Sequence, residues 1–396
     1  MIFNTWTFGV FLVLVLAVAW TIFPRSSRPF SIVAGVVFYA FSTPAYLAIV
    51  VALGVVTFVA ARVMLAKPPA ERGLAMSVGI ALIAGTLGYF KYSTLLVTSI
   101  DQIARQRLVP LPHIVVPLAI SFFTFEFVHV LVDVRVGKIA TVDPLDLATF
   151  AFFFPTLVAG PIKRYESFVA QLRVMPPPVE ADLLRNGYRV ALGLFKKIVI
   201  ADSLGVLTTP FVTPGAPFHR LDYWVAFFAY AGKIYFDFSG YSDIAIGVAG
   251  LLGFRIPENF DRPYRSANIQ IFWRRWHISL STWIRDYLFI PLGGSKRPAP
   301  VVVFNLLLAM ALAGLWHGAA WTFVLWGLWH GVGLAVHRVW HGRVVVRVPA
   351  LLRPSRTLQT ISVAMTFFFV GFGWVLFATS SLADAGTVYH ELLALN

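Results

Sequence analysis

The segment 272–294, FWRRWHISLSTWIRDYLFIPLGG, concentrates side chains that could perform chemistry. Arg274, Arg275 and His277 lie within four residues of one another there, and tryptophans flank them. A histidine is the usual general base near neutral pH, because its unperturbed pKa is about 6.5. The chain around this segment is so apolar that most of it must lie in lipid, where ionisable groups are costly and usually functional. The segment is therefore a candidate active site.

A second histidine, His317, stands in the apolar sequence ALAGLWHGAAW. Gly314, Gly318 and Ala319 remove bulk around it, so another helix, a ligand or a backbone could approach the imidazole closely. A lone histidine on an apolar face is more often a satisfied core residue than a catalyst. Two histidines in unusual surroundings leave the catalytic and the structural interpretation about equally favoured.

The sequence LWHG occurs twice, at 315–318 and at 328–331. Thirteen residues separate His317 from His330. On one continuous helix this spacing places them roughly 140° apart, at about 100° per residue. At most one of them should then point into a given site.

Two further groups of polar residues interrupt apolar runs. Glu126, His129 and Asp133 fall near one helical face, which favours a hydrogen-bonding contact between helices over a catalytic or ion-relay role. Asp237 and Tyr241 are one turn apart, and Asp243 lies nearly opposite. For these aspartates we expect structural pairing with arginines of 255–285 more than direct catalysis.

Composition identifies a polytopic membrane protein. The chain has 396 residues, 58% hydrophobic and 13% charged, whereas soluble domains have about 25% charged residues. Its net charge of +14 fits basic loops facing the cytoplasm and anionic lipid, so we expect no nucleic-acid partner. The absence of cysteine excludes disulfides, thiolate metal sites and a cysteine-bound acyl intermediate. The sequence has no metal-binding, P-loop, GxGxxG or GxSxG motif, so we expect no metal and no ATP- or NAD-driven chemistry.

Apolar runs long enough to cross a bilayer need about 20 residues. They predict about 11 transmembrane helices, with 30–66 forming one bent span or two, and with some half-spans or bent helices buried among the others. The predicted spans are 2–23, 30–41, 44–66, 74–98, 110–132, 145–161, 187–209, 222–253, 300–316, 319–340 and 358–378.

Three loop regions hold much of the basic charge and are the best cytoplasmic candidates. Residues 163–197 contain seven Lys or Arg and three acids, and residues 255–297 contain eight and three. Residues 338–356 contain five Arg and no acid.

Long ordered blocks of this sequence resemble the membrane-bound O-acyltransferase family, in its bacterial branch. The resemblance is closest to members that O-acetylate alginate and more distant to those that D-alanylate teichoic acids. The blocks cover about residues 85 to 335. They are PLAISFFTFEFVHVLVDVRVG at 117–137, VAGPIKRYESF at 158–168, LFKKIVIAD at 194–202, IYFDFSGYSDIAIGVAGLLGF at 234–254, NFDRPYRSANIQIFWRRWHISLSTWIRDYLFIPLGG at 259–294 and GLWHGAAWTFVLWGLWHG at 314–331.

The resemblance implies one all-α integral membrane domain over residues 1–396, with short or re-entrant helices and a ring of helices around a thin central conduit. It also implies transfer of an acyl group from a cytoplasmic thioester, acetyl-CoA in the closest members, to a hydroxyl of an exported polysaccharide. No bound cofactor is implied. His317 corresponds to the presumed catalytic histidine and His277 to its polar partner, while His330 does not usually receive the main role.

Acyl transfer to an alcohol requires a base for the hydroxyl proton and stabilisation of the oxyanion. His317 is the expected base and His277 orients or hydrogen-bonds. Arg274, Arg275 or backbone N–H groups could serve the oxyanion, and direct transfer is simpler than a covalent acyl-enzyme. Residues that could contact the donor or the acceptor are Trp273, Arg274, Arg275, Trp316, Asp237, Tyr241 and Ser281.

The remaining expectations concern partners and place. The chain ends at Asn396, shortly after the last predicted span, so we expect no attached periplasmic catalytic domain. The resemblance implies a separate periplasmic acetyltransferase as a partner, together with polysaccharide synthesis and export proteins. The expected location is the bacterial cytoplasmic (inner) membrane, with many passes. The acceptor stays open among alginate, cellulose, another exopolysaccharide, peptidoglycan and teichoic acid.

Two other functions compete with the enzyme. Asp237, Asp243, Glu126 and His129 could form an ion or proton relay in a transporter, but no half-to-half repeat supports one. A non-catalytic scaffold of a polysaccharide synthesis or export complex is the third possibility.

Overall fold

The computed structural model describes residues 3, 5–22, 27–108, 110, 114–173, 180–215, 217–348 and 355–394. Within these ranges the regular structure is helical and contains no strand. The predicted span 2–23 begins and ends outside the described residues, and residues 111–113 of the predicted span 110–132 also lie outside them.

The chain divides into two compact units. One unit consists of Met1–Leu194 and Gly240–Pro257, and the other of Phe195–Ser239 and Glu258–Asn396. The candidate histidines His277 and His317 both belong to the second unit.

The first unit contains nine α-helices among the described residues up to Leu194, and also the end of a later helix. Phenylalanine dominates its core, in which Phe123, Phe127 and Phe150 are almost completely buried. The helices are α1 (Trp6–Ile22), α2 (Ser27–Ser42), α3 (Leu47–Leu65), α4 (Gly73–Leu87), α5 (Ser93–Ala104), α6 (Ile120–Arg135), α7 (Pro144–Ala151), α8 (Tyr165–Arg173) and α9 (Glu180–Leu194).

The second unit contains the helices that hold the candidate site. Its core is rich in tryptophan, and Trp276, Trp326 and Trp374 are buried in it. The helices are α10 (Asp202–Val206), α11 (Thr209–Val212), α12 (Arg220–Leu251, which continues into the first unit), α13 (Ile269–Arg275), α14 (Ile278–Ile284), α15 (Ala299–His317), α16 (Trp321–Arg343), α17 (Arg356–Ala378) and α18 (Leu382–Leu393).

The predicted span 145–161 is wrong. Asp143 caps α7 by accepting hydrogen bonds from the N–H groups of Leu145 and Asp146, but the helix has only eight residues. A short turn with Pro155 follows, and proline cannot supply the N–H that would continue the helix. Eight residues rise about 12 Å, too little to cross a bilayer.

Four described helical segments are long and apolar enough to cross a membrane: Pro44–Leu65, Pro69–Ala104, Ala299–His317 and Arg356–Ala378. Trp6–Thr21 and Arg28–Ser42 are apolar but shorter. The region 30–66 is two helices, because the chain turns at Pro44–Tyr46. The count of about 11 spans and the ring of helices stay predictions.

Helices α15 and α16 form a tight hairpin. A Cβ atom added to Gly314 would lie 2.1 Å from the carbonyl oxygen of Phe323, and one added to Gly327 would lie 2.1 Å from that of Met310. Glycine is therefore required at both positions for the backbones to approach this closely. The small residues near His317 thus admit another helix, one of the neighbours that we expected from the sequence.

Candidate active site

His277 joins two short helices at a bend. It lies between α13 and α14 with φ 43° and ψ 56°, a left-handed conformation that is uncommon for residues other than glycine. Such strain persists where the surroundings hold it and often marks functional sites. Its side chain is 1% exposed. Neither of its ring nitrogens has a hydrogen-bond partner among the described residues.

Asn259 holds this bend in place. Its carbonyl oxygen accepts a hydrogen bond from the N–H of Ile278 (3.0 Å), and its side-chain Oδ1 accepts one from the hydroxyl of Ser279 (2.6 Å). On the other side, the ring of Phe238 meets the imidazole of His277 edge-on, with 4.6 Å between centroids. The imidazole is thus fixed by backbone anchoring and aromatic packing.

His317 is the last residue of α15 and is only half-buried. Gly318 has an extended backbone, and α16 begins three residues later at Trp321. The imidazole packs against Trp316, Trp326 and Phe377, with centroid separations of 4.8, 5.2 and 5.1 Å. His317, which is more accessible than His277, therefore lies at a helix end.

The structure brings His277 and His317 together. Their ring centroids are 6.3 Å apart and the ring planes differ by 56°. His277 lies outside the four candidate spans. Burial, and secondarily the charge of His317, hold the pKa of His277 well below its usual value. His277 is then neutral near pH 7, so it can accept one hydrogen bond and donate another.

His330 also borders this cluster. The two LWHG sequences are on different helices, α15 and α16, so the continuous helix that our prediction assumed does not exist. The expectation that at most one of the two histidines faces a given site stays a prediction. The indole of Trp326 lies between them, 5.2 Å from the ring of His317 and 5.0 Å from that of His330. The signal that sequence reasoning missed is Trp326, which precedes His330 by one helical turn.

Several buried polar atoms near Trp326 lack a hydrogen-bond partner among the described residues. They include both ring nitrogens of His330 and the indole Nε1 atoms of Trp273 and Trp326. Trp273 lies 5.8 Å from Trp326 and 5.2 Å from His330 between ring centroids. Buried polar groups are normally paired, and each exception requires an explanation.

The other predicted contact residues divide into two sets. Trp316 packs against both His317 and His277, and Trp273 reaches the same cluster through Trp326. The hydroxyl of Ser281 instead donates to the carbonyl of Trp276 (3.1 Å). These three side chains all belong to the second unit.

The two arginines point elsewhere. Arg274 is exposed. Arg275 lies 3.8 Å from a carboxylate oxygen of Asp261 and donates to the carbonyl of Arg265 (3.5 Å). No described contact joins either arginine to His277 or His317, so their predicted role at the oxyanion stays a prediction.

The predicted arginine partners of the α12 aspartates are wrong. Asp237 pairs with Lys197 (3.1 Å) and Asp243 with Arg189 (3.0 Å), and both cations come from 163–197, not from 255–285. Arg189 belongs to α9 and Lys197 to the π-helical turn Phe195–Ala201 that continues it, so these segments supply the cations. Tyr241 stacks on Phe3, with centroids 4.5 Å apart, in the first unit.

The predicted contact of Glu126, His129 and Asp133 with another helix is confirmed at His129, which reaches the first residue of α8. Glu126 instead reaches the loop before α8, and Asp133 pairs within its own segment. Lys163, itself buried, forms an ion pair with Glu126. His129 accepts a hydrogen bond at Nε2 from the N–H of Tyr165 (3.1 Å), and its Nδ1 donates to the carbonyl of Phe125 (3.2 Å). Asp133 pairs with Lys138 (3.4 Å). The acids considered for an ion relay are therefore engaged in ion pairs, and no described group of three His, Asp or Glu could hold a metal.

Comparison with known proteins identifies a family and several relatives. The sequence model of the membrane-bound O-acyltransferase (MBOAT) family matches residues 86–382 of this chain. The probable alginate O-acetylase AlgI of Pseudomonas aeruginosa is 40% identical over 330 residues, covering 82% of this chain and 61% of its own length. A peptidoglycan O-acetyltransferase of Helicobacter pylori is 33% identical over 401 residues, covering 94% and 75%.

A more distant similarity extends to a different acyl group. A teichoic acid D-alanyltransferase of Bacillus subtilis is 31% identical over 277 residues, covering 66% of this chain and 68% of its own. The chain spans about three fifths of the length of the alginate O-acetylases that it matches, 61% and 62% in two of them.

Proposed function

This chain belongs to the membrane-bound O-acyltransferase family, and from that membership we propose that it transfers an acetyl group from a thioester to a hydroxyl. The relatives named as alginate and peptidoglycan O-acetyltransferases support an acetyl group and a cell-surface glycan as acceptor. The donor on this proposal is acetyl-CoA, offered from the cytoplasm.

The proposed reaction needs one base and no cofactor. The neutral imidazole of His317 removes the proton of the acceptor hydroxyl as its oxygen attacks the thioester carbonyl. The new C–O bond forms, the C–S bond breaks, and the thiolate leaves and takes up the proton that His317 received. His277 lies beside His317, with 6.3 Å between ring centroids, and on this proposal it helps to orient that ring.

The difference in exposure between the two histidines carries this assignment. His317 is half-buried at the end of α15, whereas His277 is 1% exposed and 6.3 Å away between centroids. A group that touches the substrate must be accessible, and a group that only positions need not be. His317 is therefore the base in this proposal, and His277 is the positioning residue.

The cellular setting follows from the family and from the charge distribution. We place the chain in the bacterial inner membrane, with its basic loops in the cytoplasm. A ring of helices around a thin conduit would let the donor and acceptor meet from opposite sides. A separate periplasmic acetyltransferase and polysaccharide synthesis or export proteins are the partners on this proposal.

The test is acetyl transfer by the purified protein in liposomes, with radiolabelled acetyl-CoA and an alginate oligosaccharide as acceptor. His317→Ala should lower the rate at least about 100-fold, the range typical of a lost general base. His277→Ala should lower it by a smaller factor. His390→Ala is the matched control, because that side chain is 74% exposed in α18, and it should leave the rate unchanged.

Full activity in His317→Ala would refute the assignment of the base. If acetyl-CoA is not consumed but ions cross the liposome membrane, the protein is a transporter and the proposal fails. If neither occurs with the wild-type protein while a polysaccharide synthase depends on its presence, the scaffold function replaces the enzyme.

A further inference from the structure

A cavity with both polar and apolar walls lies in the same unit as the histidine pair but farther along α16. Its volume is about 520 Å³, within the range of small-molecule sites. Its walls come from α13, from the segment after α14, from α15 and from the last turns of α16. His337 follows Trp321 by sixteen residues, so it lies about 24 Å along the helix from the end that adjoins His317.

The polar lining of this cavity is basic or neutral. It consists of Gln270, Ser295, His337, Arg338 and His341, and none of the described lining residues is acidic. Guanidinium, imidazole, amide and hydroxyl groups can all donate hydrogen bonds to an anion. The lining therefore suits a negatively charged ligand and would repel a cation.

The basic groups are held close together. The rings of His337 and His341 are one helical turn apart, with 6.0 Å between centroids. Arg338 donates to the hydroxyl of Ser295 (3.3 Å) and to its carbonyl oxygen (3.5 Å). The guanidinium has five N–H groups, so these contacts orient it and leave donors for a ligand.

The cavity also opens on a different face of α16 from the apolar one. Val336, Val339 and Trp340 are exposed apolar residues that line a separate apolar groove. At 100° per residue they fall on the side of the helix opposite His337, Arg338 and His341. The apolar face suits lipid chains and the basic face suits polar surroundings, so the two faces of α16 favour different environments.

Two of the basic loop regions meet at this cavity. Gln270 and Ser295 come from 255–297, and Arg338 and His341 come from 338–356. The excess of Lys and Arg in both regions predicts a cytoplasmic location. The cavity is therefore accessible, on that topology, to an anion of the cytoplasm or of its lipid leaflet.

We propose that the cavity lined by His337, Arg338 and His341 binds the phosphate groups of a ligand. A carboxylate would occupy only a small part of about 520 Å³, whereas linked phosphates could engage arginine and both imidazoles together. The phosphates belong either to a soluble nucleotide-type donor or to a lipid headgroup. The assignment of the phosphates to a soluble donor rests on the proposed acyl transfer, whereas phosphate binding itself does not.

The test measures binding of radiolabelled pyrophosphate to the purified full-length protein in neutral detergent. We expect saturable binding that CoA displaces and pantetheine, which lacks phosphate, does not. Arg338→Gln and His341→Gln should each weaken binding at least about tenfold, and Arg338→Lys should restore part of it. His390→Ala and His317→Ala should bind like the wild type, which separates this site from the proposed base.

Nanodiscs distinguish the two sources of phosphate. If phosphatidylglycerol in place of phosphatidylcholine blocks pyrophosphate binding in the wild type, the ligand is a lipid headgroup. If the lipid has no effect, the ligand is a soluble phosphate compound. No saturable binding, or equal binding by the wild type and Arg338→Gln, overturns the proposal even when acetyl transfer is intact.

Discussion

Two regions of the molecule bury histidine in opposite ways. In the first unit, His129 is completely buried and both of its ring nitrogens are hydrogen-bonded. In the second unit, His277 and His330 are equally buried, and neither ring nitrogen of either one has a partner among the described residues. The same residue type at the same depth therefore meets two different environments.

On the proposed function, this difference separates a structural from a functional role. A buried polar group without a partner costs about 1–3 kcal/mol, so a folded chain retains one only where something else requires it. His129 bridges α6 and the start of α8 and needs no further explanation. His277 lies beside the half-buried His317, with 6.3 Å between ring centroids, and His330 contacts Trp326, which also contacts His317.

The largest expected effect concerns the first unit, where Glu126 is buried together with its cation. Lys163→Met leaves the Glu126 carboxylate buried without its cation, so the free energy of unfolding should fall by about 3–5 kcal/mol. The double variant Lys163→Met/Glu126→Leu should recover most of this loss, because no charge then remains buried. Denaturation in detergent with a chemical denaturant measures both. An additive loss in the double variant would mean that the pair is not coupled.

A smaller effect should follow from crowding the hairpin of the second region. Gly314→Ala places a methyl group against the carbonyl oxygen of Phe323, so we expect a loss of about 1–3 kcal/mol. Because α15 must then shift, His317 moves and acetyl transfer should fall as well. Gly386→Ala is the control, since no atom lies within 4 Å of its added Cβ, and its stability should not decrease. If Gly314→Ala folds and its rate of acetyl transfer is unchanged, the close packing of α15 against α16 does not position His317.

A direct comparison of the two histidine environments uses His129→Ala and His277→Ala. Both variants leave a cavity, but only His129→Ala also removes the acceptor for the N–H of Tyr165. His129→Ala should therefore lose about 1–3 kcal/mol more stability, with normal acetyl transfer per folded molecule. His277→Ala should instead lose activity. Equal losses of stability would remove the distinction between the two regions.

The smallest expected effect is a dependence on pH. The pKa of His277 is lowered by burial and by His317, so below about pH 6.5 the unfolded chain binds a proton that the folded chain does not. Stability contributed by neutral His277 is thus present above that pH and is lost on acidification, by up to about 1.4 kcal/mol per pH unit. The thermal midpoint should fall less steeply from pH 7.5 to 5.5 in His277→Gln than in the wild type. Parallel curves would show that His277 does not contribute.

Much of the helical layout was predictable from the sequence, because apolar runs and loop residues mark helix ends locally. The predicted spans 222–253, 300–316 and 358–378 agree with α12, α15 and α17 within a few residues. Residues 145–161 were not predictable in this way, since their apolar character reflects burial within protein and not a crossing. Composition alone cannot separate those two causes.

The pairing of His277 with His317 was also proposed from the sequence, through local context and resemblance. The partners of Asp237 and Asp243 and the position of Trp326 between His317 and His330 were not found. Each depends on how separate helices pack, and helical periodicity describes only the faces of one helix. The break at Gly318 had a local signal in its small residues, but the same residues also suit an uninterrupted apolar helix.

The hairpin of α15 and α16 has a consequence for biosynthesis. Only three residues, Gly318, Ala319 and Ala320, separate its two helices, too few to leave a loop in water while one helix waits for the other. The two helices should therefore fold against each other as one unit during synthesis. Because His277 precedes both helices in the chain, its contact with His317 can form only after the ribosome has made α15, and the packing of Trp326 on His317 only after it has made the start of α16.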